Sequence, residues 1–134
     1  MPDNYYFDTS IWLDYYEKRG QNGKHALNLI MKIANEDCKI FYSDLNIKEL
    51  KNIGYSNQEI INLFSIAKTN RVHVHIYREQ VEESRNTAKK REVPNSDVLH
   101  AILCRDNNLQ LISRDVHFEK LKDISEAKKP EEFI

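Results

Sequence analysis

Residues 5–19 read Tyr5-Tyr6-Phe7-Asp8-Thr9-Ser10-Ile11-Trp12-Leu13-Asp14-Tyr15-Tyr16-Glu17-Lys18-Arg19. Tyr5 to Phe7 is a short aromatic run of strand type. From Thr9 onward Ile11, Trp12, Tyr15 and Tyr16 recur at helical spacing, and Gly20 is expected to stop that helix. A strand followed at once by a helix, with one acid at the junction, is the opening of a strand-helix alternation. The rest of the chain continues it. His25 to Glu36 carries a helical stripe of Leu27, Ile30, Met31 and Ala34, and Lys39 to Tyr42 reads as a second strand. Ser43 is placed to cap a helix bearing Leu45, Ile47 and Leu50, which Gly54 ends, and Ser56 to cap the next, through Ile60, Leu63, Phe64 and Ala67. Val72 to Ile76 alternates with period two, as a strand does. Glu79 to Glu92 reads as an exposed helix stopped before Pro94, and Ser96 begins an apolar helix from Asp97 to about Asp106. Leu109 to Ile112 is the fourth strand, followed by a short helix and a strand-like Ile124 to Ala127.

Such alternation predicts an α/β fold, a three-layer α/β/α sandwich with a mostly parallel central sheet and right-handed crossovers. The length of 134 residues fits a single domain over 1–134, large enough to fold without disulfides or a structural metal. Forty per cent apolar and 31% charged residues, with three Gly and three Pro, exclude disordered and fibrous classes. No apolar run approaches the roughly 20 residues needed to span a bilayer. The polar opening Met1-Pro2-Asp3-Asn4 lacks the basic-then-apolar form of a secretory leader, so no membrane association and a cytoplasmic location are expected. Cys38 and Cys104 stand apart, without Cys or His at zinc spacing, and are expected to be buried small hydrophobes. Twenty basic against 21 acidic side chains give a net charge of -1, so any nucleic-acid contact must be local.

In an open parallel sheet the ligand crevice lies beyond the carboxyl ends of the strands. Asp8 directly follows the first strand, and Asp115 follows the fourth after Ser113 and Arg114. Asp97 opens an otherwise apolar helix, and Glu49 lies on the helix after the second strand. Each has an ordinary reading: Asp8 and Asp115 as helix N-caps, Asp97 as a first-turn acid favoured by the helix dipole, Glu49 as a solvated neighbour of Lys48 and Lys51. Gathered together they demand a cation, because two carboxylates about 4 Å apart repel by around 4 kcal/mol at an effective dielectric near 20. Oxygen ligands point to Mg²⁺ or Mn²⁺, a centre suited to attack on a phosphodiester.

Four segments, Phe7-Asp8-Thr9-Ser10, Asn46-Ile47-Lys48-Glu49-Leu50, Pro94-Asn95-Ser96-Asp97-Val98-Leu99-His100-Ala101 and Leu111-Ile112-Ser113-Arg114-Asp115-Val116-His117-Phe118, resemble in order the four acidic motifs of PIN domains. The likeness runs from Tyr5 to beyond Pro130 and is nearest to small stand-alone prokaryotic members, a group that includes the VapC toxins. It implies an α/β/α sandwich and a divalent-metal ribonuclease, a candidate toxin of a toxin-antitoxin pair. Catalytic residues would be Asp8, Glu49, Asp97 and Asp115, with Asp8, Asp97 and Asp115 holding metal. Ser10 and Ser113 would orient the carboxylates by hydrogen bonds. Where many members carry a further acid, this chain has His117. Asp44, just after the second strand, is the alternative to Glu49.

RNA is the partner this implies, with Lys89, Lys90, Arg91 and Arg114 as candidate phosphate contacts, against a reading of the first three as a solvated helix face. An antitoxin and a homodimer through an apolar helix face are further partner expectations. His100 is read as a core residue or a support for the acids rather than a base, and His73 and His75 as surface residues. A competing class is a non-catalytic RNA-binding or protein-docking module on the same fold, with the acids retained for capping. A phosphotransfer receiver is disfavoured, since no strand-terminal Lys stands late in the chain.

Overall fold

The structure, a computed structural model, describes residues 2–134. Its centre is β1 (Asn4–Phe7), in which Tyr5, Tyr6 and Phe7 are all fully buried. Three consecutive buried residues mean that both faces of the strand are covered. Tyr5 and Phe7 enter one core with Ile11, Trp12, Leu29 and Ile30, whereas Tyr6 enters a second with Val98, Ile102 and Leu111. The period of two along the strand thus distributes its side chains between two helical layers.

Helices α1 (Thr9–Tyr16), α2 (Gly20–Asn35) and α4 (Asn57–Phe64) pack on the first face. Helices α5 (Arg78–Arg91) and α6 (Asn95–Asn107), with the 3₁₀ turn Val116–Leu121, supply residues to the second. Helix α3 (Asp44–Asn52) spans both, with Leu50 in the first core and Leu45 against the second. Strands β2 (Lys39–Ser43), β3 (Arg71–Val74), β4 (Gln110–Ile112) and β5 (Ala127–Lys128) complete a five-stranded sheet of order β3-β2-β1-β4-β5. Every pairing is parallel, in the expected α/β/α arrangement. The chain leaves β1 in one direction through β2 and β3, then returns to the other side for β4. The carboxyl ends of β1 and β4 therefore flank the switch point at which such sheets form a crevice.

Several boundaries differ from the sequence reading. Gly20 opens α2 instead of ending the first helix, because α1 has already stopped at Tyr16 and Lys18 and Gly20 turn the chain with φ of 54° and 56°. The helix capped by Ser56 tightens after Phe64 into the 3₁₀ turn Ser65–Ala67. The third strand spans Arg71–Val74 and ends before His75, and α6 begins at Asn95 rather than Asp97, with Pro94 in the cap position. The last strand lies at Ala127–Lys128, past the expected Ile124–Ala127, and the turn Pro130–Phe133 had no sequence expectation. Cys38 and Cys104 are both buried and unpaired.

At Gly23 helices α1 and α2 approach closely: a methyl group there would lie 2.6 Å from the main-chain oxygen of Asp14. Backbone cannot retreat as a flexible side chain can, so Gly23→Ala is expected to cost about 1–3 kcal/mol. A urea denaturation midpoint equal to that of the wild type would contradict this close approach.

Candidate metal centre

Asp8 sits where β1 becomes α1 and caps that helix. Its Oδ1 accepts the Ser10 main-chain N–H at 2.7 Å, the Ser10 hydroxyl at 2.6 Å and, more weakly, Ile11 N–H at 3.4 Å. Its Oδ2 accepts the Ser113 hydroxyl. The same Ser113 oxygen accepts Asp115 N–H at 3.0 Å, so one serine ties the acid after β1 to the acid after β4. Asp115 in turn caps the 3₁₀ turn through His117 N–H at 2.9 Å. Both acids thus act as the N-caps expected of acids at these junctions.

Asp97 enters from the first turn of α6, behind a proline that offers no side-chain cap. Glu49 enters from α3, one helical turn after the buried Asn46. Asp8, Thr9, Ser10, Glu49, Asp97, His100 and Asp115 together line a pocket of about 110 Å³. Asp44 lies outside it, exposed and bonded to His73 Nε2 at 2.9 Å. A larger groove of about 470 Å³ adjoins the pocket and shares Glu49 with it. The polar part of its lining includes Lys48, Asn52, Arg85, Asn95 and Ser96.

A closed ring of buried and part-buried hydrogen bonds holds Glu49. Its Oε1 accepts Thr9 Oγ1–H and His100 Nε2–H, both at 2.7 Å. A carboxylate only accepts, so in the neutral imidazole Nδ1 accepts from the Tyr6 hydroxyl at 2.7 Å, and Tyr6 accepts from Ser43 Oγ at 2.7 Å. The ring returns through Ser43 N–H to Asn46 Oδ1 at 2.9 Å and Asn46 Nδ2–H to Thr9 Oγ1 at 3.0 Å. His100 is thus a buried support for Glu49.

The electrostatics separate the acids. Burial, then the neighbouring Asp115 carboxylate, push Asp97 up to about 6, against the opposing pull of His100 and His117. Burial also pushes Glu49 upward, but the hydrogen bonds it accepts from His100 and Thr9 outweigh it and leave that carboxyl below its usual range. His117, which sequence reasoning registered only as a missing acid, brings Nδ1 to 3.0 Å from Asp97 Oδ2 and 3.1 Å from Asp115 Oδ1. One ligand atom from each of Asp97, Asp115 and His117 lies within 4.8 Å of the other two. Crowded carboxylates with an imidazole beside them, one acid resisting ionisation, form a donor set that fits a divalent cation.

The four basic residues singled out from sequence line neither the pocket nor the groove. Lys89 and Lys90 are exposed near the end of α5. Arg91 is held by both oxygens of Asp123, at 2.7 and 2.8 Å, and by Lys120 O at 3.0 Å. Arg114 pairs with both oxygens of Glu131, at 2.7 and 2.8 Å, and lies 3.8 Å from Asp14. Arg85, missed in the sequence because it stands alone within the charged helix, is the basic residue of α5 that reaches the groove.

A family model for the PIN domain matches residues 5–124. The chain belongs to the PIN domain family. Members of this family are generally nucleases. No curated protein matches the chain. Among solved structures, this PIN domain is similar to a chain of VapBC2 from Rickettsia felis bound to a DNA fragment from their promoter, at 16% identity and a TM-score of 0.70, covering 94% of this chain and 98% of that one. A toxin-antitoxin complex from Klebsiella pneumoniae matches at 19% identity and a TM-score of 0.57, over 94% and 97%. FitAcB from Neisseria gonorrhoeae matches at 14% identity and 0.61, over 93% and 96%. At these identities the likeness establishes the fold. Among the described residues, no helix is long and apolar enough to cross a membrane.

Proposed function

We propose that this PIN domain is a divalent-metal-dependent ribonuclease whose site is Asp8, Glu49, Asp97 and Asp115. The observation that carries this reading is the convergence of four carboxylates, from the ends of two strands and from two helices, on one pocket where burial and a like charge hold Asp97 at about 6. Such an arrangement costs folding free energy and is explained by a cation that the acids share. Mg²⁺ or Mn²⁺ bound there supplies charge neutralisation at the scissile phosphate and a water of lowered pKa. Asp8, Asp97 and Asp115 would hold the ion, Ser10 and Ser113 fix the orientation of Asp8, and Glu49, locked by His100 and Thr9, completes the acidic set. Lys48 and Arg85 along the adjoining groove pair with RNA phosphates, with Lys89 and Lys90 further out on α5. An antitoxin is the protein partner proposed, on the precedent of the toxin-antitoxin complex among the similar structures. Exposed Ile53, Ile61 and Val116 offer apolar contacts to such a partner or to a second copy.

Incubating the purified protein with a mixed single-stranded and structured RNA pool in Mn²⁺, Mg²⁺ or EDTA tests the reading. Cleavage is expected with metal and absent with EDTA. A protein that cleaves in none of these and whose melting is indifferent to Mn²⁺ would instead be a binding module on the same fold.

The melt has its own pH dependence. At Mn²⁺ a hundredfold above its Kd, stabilisation is about 2.7 kcal/mol, or roughly 10 °C for a domain of this size. Asp97 titrates higher folded than unfolded, so between about pH 4 and 6 the metal-free fold binds a proton that the unfolded chain does not. That contribution to metal-free stability is therefore present at low pH and lost as pH rises through about 6. The Mn²⁺-induced rise should be full at pH 7.5 and shrink toward pH 5, where metal competes with that proton. A shift independent of pH would refute the assignment of Asp97.

A further inference from the structure

Beside the carboxylates Asp97 and Asp115 stands an imidazole, His117, that an oxygen-only centre would not need. The Asp115 side chain caps the turn that begins at Val116 and accepts the main-chain N–H of His117. This folds the imidazole back over the acids, with Nδ1 at 3.0 Å from Asp97 Oδ2 and 3.1 Å from Asp115 Oδ1. Nδ1 is hydrogen-bonded to Asp97, and one ligand atom from each of Asp97, Asp115 and His117 lies within 4.8 Å of the others, close enough for one cation to replace the shared proton and take all three. The imidazole is half exposed, whereas Asp97 is largely buried, so the ring closes the solvent side of the cluster.

We propose that His117 is a metal ligand, supplying imidazole nitrogen beside Asp97 and Asp115, and that the centre consequently takes a first-row transition-metal dication of the Mn²⁺ or Co²⁺ class in preference to Mg²⁺. The inference rests on the reading that these acids hold a divalent cation. Its chemistry is that of ligand softness: an all-oxygen set suits Mg²⁺, and each imidazole in the set favours the transition metals, in the order Mn²⁺, then Fe²⁺, then Co²⁺. Histidine in place of a further carboxylate also removes one negative charge, which weakens the purely electrostatic hold on Mg²⁺ most.

Pulsed EPR of the wild-type protein loaded with Mn²⁺ reads the ligand directly, and is expected to show ¹⁴N coupling from a coordinated imidazole. The coupling should vanish in His117→Asp and His117→Gln. Calorimetric titration with Mn²⁺ and Mg²⁺ should show the preference for Mn²⁺ falling by about tenfold or more in His117→Asp. Bound Mn²⁺ without nitrogen coupling in the wild type would overturn the role of His117 and leave the nuclease reading intact. Failure of the wild type to bind Mn²⁺ at all would overturn both. A wild-type spectrum without nitrogen coupling decides against His117 even where a variant folds poorly, and loss of the coupling in the His117 variants distinguishes it from His100.

Discussion

Asp8→Asn and Asp97→Asn should each reduce metal-dependent RNA cleavage by at least about 100-fold while leaving the protein folded. The asparagine amide matches the carboxylate in shape but carries no charge for a cation. At position 8 the retained amide oxygen can still accept Ser10 N–H at the start of α1, so the cap survives, and the main loss is the acceptor of Ser113. At position 97 the substitution removes a carboxylate that burial and Asp115 oppose, so the metal-free variant is expected to melt no lower than the wild type at pH 7.5. Cleavage assayed beside a thermal melt separates lost chemistry from lost structure. Undiminished cleavage by both variants would remove the acidic pocket from the mechanism.

The second large effect is expected at a distance from the reacting atoms. Tyr6→Phe deletes one hydroxyl from the ring that holds Glu49, with almost no change in volume. It leaves the Ser43 hydroxyl proton without its acceptor and His100 Nδ1 without its donor where both residues are essentially inaccessible to solvent, a cost of about 1–3 kcal/mol. His100 is then free to turn, and Glu49 loses the donor that fixes its oxygen. Outer partners of this kind are worth about 10–100-fold in metal affinity or activity. His100→Ala should sit at the upper end of that range, and His100→Gln, whose amide can still donate toward Glu49, should recover part of it. Recovery by glutamine is the outcome that a merely structural role would not produce. Wild-type cleavage and Mn²⁺ affinity in both Tyr6→Phe and His100→Ala would show that the ring supports only the core.

Much of the fold was legible because its signals are local. The aromatic run Tyr5 to Phe7 and the stripe Ile11, Trp12 declare strand and helix within eight residues. Ser56 declares a cap through the hydrogen bond it makes three residues on. The misplaced boundaries fall where competing local geometries are close in energy. Gly20 is compatible with ending one helix or beginning another, and only the close crossing of α1 and α2 at Gly23 selects the second. The short Ala127–Lys128 strand has no periodicity of its own and exists because β4 offers it an edge.

The site divides along the same line. Asp8 and Asp115 could be read in the sequence because they follow strands directly, and the rule that crevices open at strand ends needs no coordinates. Glu49 could not be separated from Asp44 by spacing, since both follow β2 on the same helix. The tertiary structure places Asp44 beside His73 and turns Glu49 to His100 and Thr9, contacts 51 and 40 residues apart in the chain. The amino-acid sequence by itself determined the alternating elements, their parallel assembly and the acids at strand ends, because each depends on periodicity or on immediate neighbours. Which basic residues are already paired within the fold, how Tyr6 and His100 support an acid, and that His117 stands over Asp97 and Asp115 were decided only by the tertiary structure. Those relations are hydrogen-bond and charge contacts between distant segments, and their strength depends on burial and distance that no local pattern encodes.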